Sequence, residues 1–117
     1  MKKIYHLSSC STCKRILNEL EPSSAYILQD IKTDKITEEQ LEEMHELAGS
    51  YEALFSKRAQ LYKDKDLKNQ ELDEDDYKGF ILEHYTFLKR PVIINNDKIF
   101  IGNSKSTIES AKNGMNE

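Results

Sequence analysis

Lys3-Ile4-Tyr5-His6-Leu7-Ser8-Ser9-Cys10-Ser11-Thr12-Cys13-Lys14-Arg15-Ile16-Leu17-Asn18-Glu19-Leu20 is the stretch that decides the fold. Residues 3–7 are apolar and in part β-branched or aromatic, which predicts a strand. Cys13, Ile16, Leu17 and Leu20 then recur at i, i+3, i+4 and i+7, one buried stripe of a helix over 11–21. Ser11 or Thr12 supplies a capping side chain near its start. Pro22 ends the helix and Ser23-Ser24 make a turn. Both cysteines of the chain lie in this stretch. Cys10 falls in the strand-to-helix turn, and Cys13 falls on the inward stripe, so the two sulfurs should differ in exposure.

Outward from there, Ala25-Tyr26-Ile27-Leu28 predicts a second strand, parallel to the first, which closes a β-α-β unit. Thr37-Glu38-Glu39-Gln40 reads as a capping box. It opens a helix that turns Leu41, Met44 and Leu47 inward and stops at Gly49. Residues 50–63 predict short helical turns with a loop at Arg58, and the charge-rich residues 64–76 an exposed loop. Asp73, Glu74, Asp75 and Asp76 suit the positive end of a helix running to about Tyr85. Val92-Ile93-Ile94, Asn95-Asn96-Asp97 and Lys98-Ile99-Phe100-Ile101 give a strand, a tight turn and an antiparallel partner. Gly102-Asn103-Ser104 leads into a last helix through about Lys112, with residues 113–117 frayed. The order β-α-β, helical insertion, β-β-α predicts an α/β fold with a four-stranded mixed sheet.

The 117 residues fit one domain, 1–117, able to bury roughly two-thirds of its unfolded surface. No apolar run approaches the length of a membrane helix. The two N-terminal lysines are not followed by a signal-peptide core. The expected location is therefore cytoplasmic, with no membrane partner. A net charge of −4 and a pI near 5.4 weigh against direct nucleic-acid binding, which wants a basic face. A local basic pocket for a small anion remains compatible with both.

Cys10-Ser11-Thr12-Cys13 carries the chemistry. A bridge across so short a loop constrains the unfolded chain little. In a cytosolic chain this spacing is the redox one. Free N–H groups at a helix start favour a thiolate. Cys10 is thus the candidate nucleophile, and Cys13, one turn on, could attack an adduct on Cys10 and close a disulfide. Zinc would need two further ligands, and His6, His45 and His84 offer no pair at ligand spacing, so no metal is expected. His6, at the end of the first strand, is placed to tune the thiolate or move a proton, or to serve structure alone. Only three of the 17 basic residues are arginines. Arg58 and Arg90 have the forked geometry that suits a tetrahedral oxyanion, against the plainer reading of surface arginines. Arg90-Pro91 before a strand fits either a fixed cis turn or an edge-strand start.

Three segments together resemble one family: residues 4–14, the tract Phe87-Leu88-Lys89-Arg90-Pro91-Val92-Ile93, and Ile101-Gly102. They are similar to the arsenate reductases of glutaredoxin-linked type, a family that also holds the Spx redox regulators. The resemblance runs from Lys3 to about Ala111. It implies a thioredoxin-like fold with a helical insertion after the second strand, and a cis Pro91 beside Cys10. It also implies that Cys10 is the nucleophile with His6 near it, and that Arg58 and Arg90 bind the anion. No bound cofactor is implied. The co-substrate would be a thiol donor, glutathione with glutaredoxin, or thioredoxin. Members of the glutaredoxin-linked type carry serine where this chain has Cys13, and a third arginine where it has Gly102-Asn103. A second cysteine is the Spx-like pattern, which implies RNA polymerase as a partner. Three functions follow as expectations: an arsenate-reductase-like thiol oxidoreductase, an Spx-type regulator switched by a Cys10–Cys13 disulfide, and a general thiol–disulfide oxidoreductase.

Overall fold

The computed structural model describes residues 1–115. The chain forms two compact units, one made of residues 1–35 with the segment from Arg90 onward, the other of Ile36–Lys89. The second unit is the segment read from the sequence as a helical insertion.

The first unit holds β1 (Lys2–His6), α1 (Ser11–Leu20), β2 (Ile27–Asp30), β3 (Val92–Asn95), β4 (Lys98–Ile101) and the C-terminal helix (Lys105–Met115). The sheet order is β2-β1-β3-β4. β1 and β2 are parallel, while β3 runs antiparallel to both β1 and β4. A parallel pair cannot be joined by a tight turn, and α1 supplies the crossover. The inner strand β3 is buried along its whole length. Ile4, Tyr26, Ile93 and Ala111 form a core cluster, against which Leu17, Leu20, Phe100 and Met115 pack. The C-terminal helix lies close to β4, because a Cβ on Gly114 would overlap the Phe100 ring. Asn95 Nδ2 donates to the Gly114 carbonyl at 2.8 Å. That carbonyl is among the last of its helix, which lack intrahelical partners. Residues 113–115 are accordingly helical rather than frayed; residues 116 and 117 lie outside the described residues.

Two boundaries differ from the sequence reading. β2 spans 27–30 rather than 25–28. The Tyr26 N–H closes a turn onto the Ser23 carbonyl at 3.1 Å, and Tyr26 is buried there. β2 is an edge strand, so Ile27 and Leu28 stay 60% and 49% exposed while Gln29 is buried. The cap of α1 is Cys10 itself, in extended conformation (φ −93°, ψ 116°), and Ser11 is the first helical residue. The Cys10 N–H donates to the Leu7 carbonyl at 3.0 Å, and the Cys10 carbonyl accepts from Lys14 N–H at 3.1 Å. The turn thus delivers the chain to the helix one residue earlier than the hydroxyl side chains suggest.

The second unit begins with α2 (Glu38–Ala48). Thr37 and Gln40 close the expected capping box, and Gly49 at φ 90° ends the helix in the left-handed region. A 3-10 turn (Glu52–Leu54) and α3 (Gln60–Asp64) follow, with Arg58 on the loop between them, as expected. The segment 64–76 is not wholly an exposed loop. Leu67–Asn69 form a 3-10 turn, and Leu67 is buried. In α4 (Glu74–Glu83) Asp73 and Asp76 form a second capping box that the sequence reading missed. His84 is extended and ends α4, and a 3-10 turn covers Tyr85–Phe87. With α2, α3 and α4 assigned, the C-terminal helix is α5. Phe55 organises this unit's core: Tyr62, Tyr77, Phe80 and Phe87 surround it with ring centroids 4.8 to 6.3 Å away. Such edge and stacked arrangements add to plain area burial.

Candidate functional site

The site grows from the turn Leu7–Cys10. β1 carries the chain to Leu7, and the Cys10-to-Leu7 hydrogen bond turns it onto the start of α1. Cys10 is half-buried, and Cys13, on the inward face of α1, is only 1% exposed. The two cysteines are 4.0 Å apart, and both thiols are free.

Their surroundings pull the two thiols in opposite directions. Burial acts to raise the Cys10 thiol, but the N–H of Cys13, the Cys13 thiol, the N–H of Thr12 and the Arg90 guanidinium together bring it below its ordinary value. The Cys10 side chain makes no capping hydrogen bond. The nearby N–H groups belong to the unsatisfied donors of the first turn, which favour negative charge. Cys13 is pushed up to about 11, first by burial and then by the neighbouring Cys10 charge, against the opposing pull of the Leu7 backbone and Arg90. Cys10 therefore ionises first, and Cys13 is protonated at neutral pH. Lys14 and Arg15 are exposed on α1 just beyond them.

Arg90 is half-buried, and its peptide bond to Pro91 is cis. Tyr5 pairs with Val92, so the antiparallel register carried one step further sets Pro91 opposite His6. The Pro91 carbonyl accepts from Gly102 N–H at 3.0 Å, and Gly102 has φ 92°. Gly102-Asn103, where the related reductases are expected to carry a further arginine, thus directly follows the hairpin. His6 ends β1 half-buried and pairs with Asp30 across the parallel register. Arg58 is exposed on its loop in the second unit.

The sequence reading passed over Ser8 and Asp30. The Ser8 hydroxyl donates to Asp30 Oδ2. It is the leading reason that the Asp30 carboxyl lies below its usual range, against slight desolvation; the Lys32 and Ser8 N–H groups and the nearness of His6 act the same way. Cooperation between residues 22 apart depends on strand register, and neither residue stands out by type or local spacing. The only local signal was an aspartate two residues beyond the end of a strand predicted to be parallel. Among the described residues, no group of three or more His, Cys, Asp or Glu is arranged to hold a metal. No helix among them is long and apolar enough to cross a membrane.

A thiol at a strand-to-helix turn, with a cis Arg90–Pro91 bond at the head of an antiparallel strand of the same sheet, defines a thiol protein of thioredoxin-like fold. The family model named ArsC matches residues 5–111, and the chain belongs to the ArsC family. It is 28% identical over 111 residues to an arsenate reductase of Neisseria meningitidis, covering 92% of this chain and 95% of that one. It is 26% identical over 108 residues to the global transcriptional regulator Spx 2 of Bacillus cereus, covering 90% of this chain and 82% of the relative. Among solved structures, a putative arsenate reductase from Yersinia pestis superposes with a TM-score of 0.76 at 19% identity, covering 94% and 99% of the two chains. That last likeness supports the fold.

Proposed function

We propose that this protein is a thiol-dependent oxidoreductase of arsenate-reductase type, with Cys10 as nucleophile. The observation that carries the reading is the unequal pair: Cys10 is activated at the start of α1 beside Arg90, with the protonated Cys13 4.0 Å away. The Cys10 thiolate attacks the arsenic of arsenate, and one arsenate oxygen leaves as water after protonation. A second thiol then attacks the Cys10 sulfur. The arsenic–sulfur bond breaks, its electron pair stays on arsenic, and arsenite departs. Two thiols have become one disulfide, and arsenic has gained two electrons. Cys13 or glutathione serves as the second thiol, and glutaredoxin or thioredoxin reduces the disulfide. Arg90 stabilises charge on the anion as it develops. His6 moves or holds a proton, and Arg58 is proposed as a second anion-binding guanidinium on the strength of the family resemblance. No bound cofactor takes part.

The test is turnover of arsenate by the full chain with each donor: glutathione with glutaredoxin, and thioredoxin. Arsenite release with one donor, abolished by Cys10→Ser, supports the reading. No arsenite with either donor, from a chain whose Cys10 is alkylated readily, overturns the oxyanion step. In that case disulfide exchange is the remaining enzymatic reading.

A second reading is favoured by the cysteine pair itself together with the likeness to Spx 2. In it, a Cys10–Cys13 disulfide switches binding to RNA polymerase. Capture of polymerase by the oxidised chain but not by the reduced one, without turnover, would establish it.

A further inference from the structure

We infer that Asp30 is a positioning residue for Cys10, acting through Ser8. The inference rests on Cys10 being the nucleophile and adds a residue to that site. Asp30 closes β2 directly across from His6, at the C-terminal ends of the two parallel strands. The register is pinned there by the Ile31 N–H, which donates to the His6 carbonyl at 2.9 Å.

The two carboxylate oxygens of Asp30 have different duties. Oδ1 accepts from the Lys32 N–H at 3.1 Å, while the Asp30 carbonyl accepts from the Asp34 N–H at 2.8 Å. These bonds build the turn that leaves β2, an ordinary use of an aspartate. Oδ2 has no part in that turn. It reaches back to β1's exit and takes the Ser8 hydroxyl. Ser8 is the second residue of the turn that Leu7 and Cys10 close. A tether at Ser8 therefore fixes the turn from the β2 side, while the Cys10-to-Leu7 bond closes it from within.

The consequence for chemistry lies in the aim of Cys10. Its sulfur gains from the N–H groups of Thr12 and Cys13 only while its Cα is held at the cap of α1. Charge-assisted hydrogen bonds weaken steeply when donor and acceptor are misaligned. A turn released from β2 lets the sulfur move away from those donors without disturbing the sheet or α1. Asp30 is itself a negative charge and cannot stabilise a thiolate directly, so its effect on Cys10 is one of placement.

The test is the pH profile of iodoacetamide alkylation at Cys10, with the modified residue located by mass spectrometry of its peptide. The readout needs no natural substrate, so it stays informative if arsenate is not the substrate. The parent chain should be alkylated with a midpoint below that of an ordinary thiol. Asp30→Ala and Ser8→Ala should each raise the midpoint by about one pH unit, lowering the neutral-pH rate about tenfold. Ser8→Ala removes the hydroxyl bond, while Asp30→Ala also removes the acceptor of the Ser8 N–H, so the double variant should be no worse than Asp30→Ala alone. Ser8→Thr keeps the hydroxyl and should retain the parent profile. A residue with a merely structural part would lower the melting temperature and leave the midpoint in place. Folded single variants with the parent's midpoint, or effects that add in the double variant, would overturn the inference. If Asp30→Ala fails to fold because its turn is lost, Ser8→Ala, which leaves that turn intact, decides alone. A parent midpoint at or above the ordinary thiol value would instead sink the nucleophile reading beneath it.

Discussion

Cys10 caps α1 and Cys13 lies in its first turn, and the two differ in what surrounds them. Cys10 is held below its ordinary value although burial opposes this, and Cys13 is pushed up to about 11 chiefly by burial. At neutral pH iodoacetamide should modify Cys10 first, and Cys13 should react comparably only as the pH nears 11; equal labelling at neutral pH would contradict the arrangement. The Arg90 guanidinium is a full positive charge acting on the Cys10 thiol. Arg90→Gln should raise the alkylation midpoint, and in an arsenate assay it should lower kcat as well as affinity, because it acts on charge that develops during the reaction. Arg58→Lys gives a separate check: if that guanidinium binds the anion, KM rises by about tenfold as one fork-shaped contact is lost. At this scale the chemistry was legible in the sequence where it depended on local spacing. The four-residue cysteine motif after a strand marked two thiols of unequal exposure, and the structure has them so. Ser8 and Asp30, 22 residues apart, were not legible, because only the pairing of β1 with β2 joins them.

Elements were legible wherever a periodic apolar pattern met a turn signal. α1, α2 and the β3–β4 hairpin have both, and they fall within a residue or two of their expected bounds. β2 was misplaced because the pattern there runs against burial: an edge strand exposes Ile27 and Leu28 and buries Gln29, while Tyr26 packs into the core from a turn. The end of α5 was read as frayed because nothing local holds it. What holds it is Asn95, a buried residue of β3 whose side chain satisfies the Gly114 carbonyl. Asn95→Ala should cost about 1–3 kcal/mol, the penalty for a buried group left without its partner. It should also speed amide exchange at the end of α5 in particular. Thr37→Ala removes one half of the capping box of α2. Its cost should be about 1 kcal/mol in denaturant melts, and a change within error would mean the box contributes little to that helix.

For the molecule as a whole, the fold class was legible from element order, and the family resemblance extended it to a thioredoxin-like frame. The division into two compact units at Ile36 and Lys89 was not, since no composition shift marks either point. The two thiols also make folding stability depend on pH. A thiol in the unfolded chain titrates at about 8.5. Cys10 ionises more readily when folded, so its contribution is present above that value and is lost as pH falls through the folded value. Cys13 works the other way: its contribution is present below about 8.5 and lost as pH rises through about 11. Relative to a Cys10→Ser, Cys13→Ser chain, the parent should gain stability on approaching the unfolded thiol value from below and lose it above; denaturant melts across that range measure both limbs. There is a practical corollary in the fact that Cys10 is the N-cap of α1. Whatever bonds to the sulfur also removes an ionisable thiol whose charged form the first turn of that helix favours. Covalent occupancy and the free energy of folding are then linked quantities, and a melting curve becomes a ligand assay. Candidate oxyanions and disulfides can be ranked by the shift each adduct produces, before any turnover has been detected.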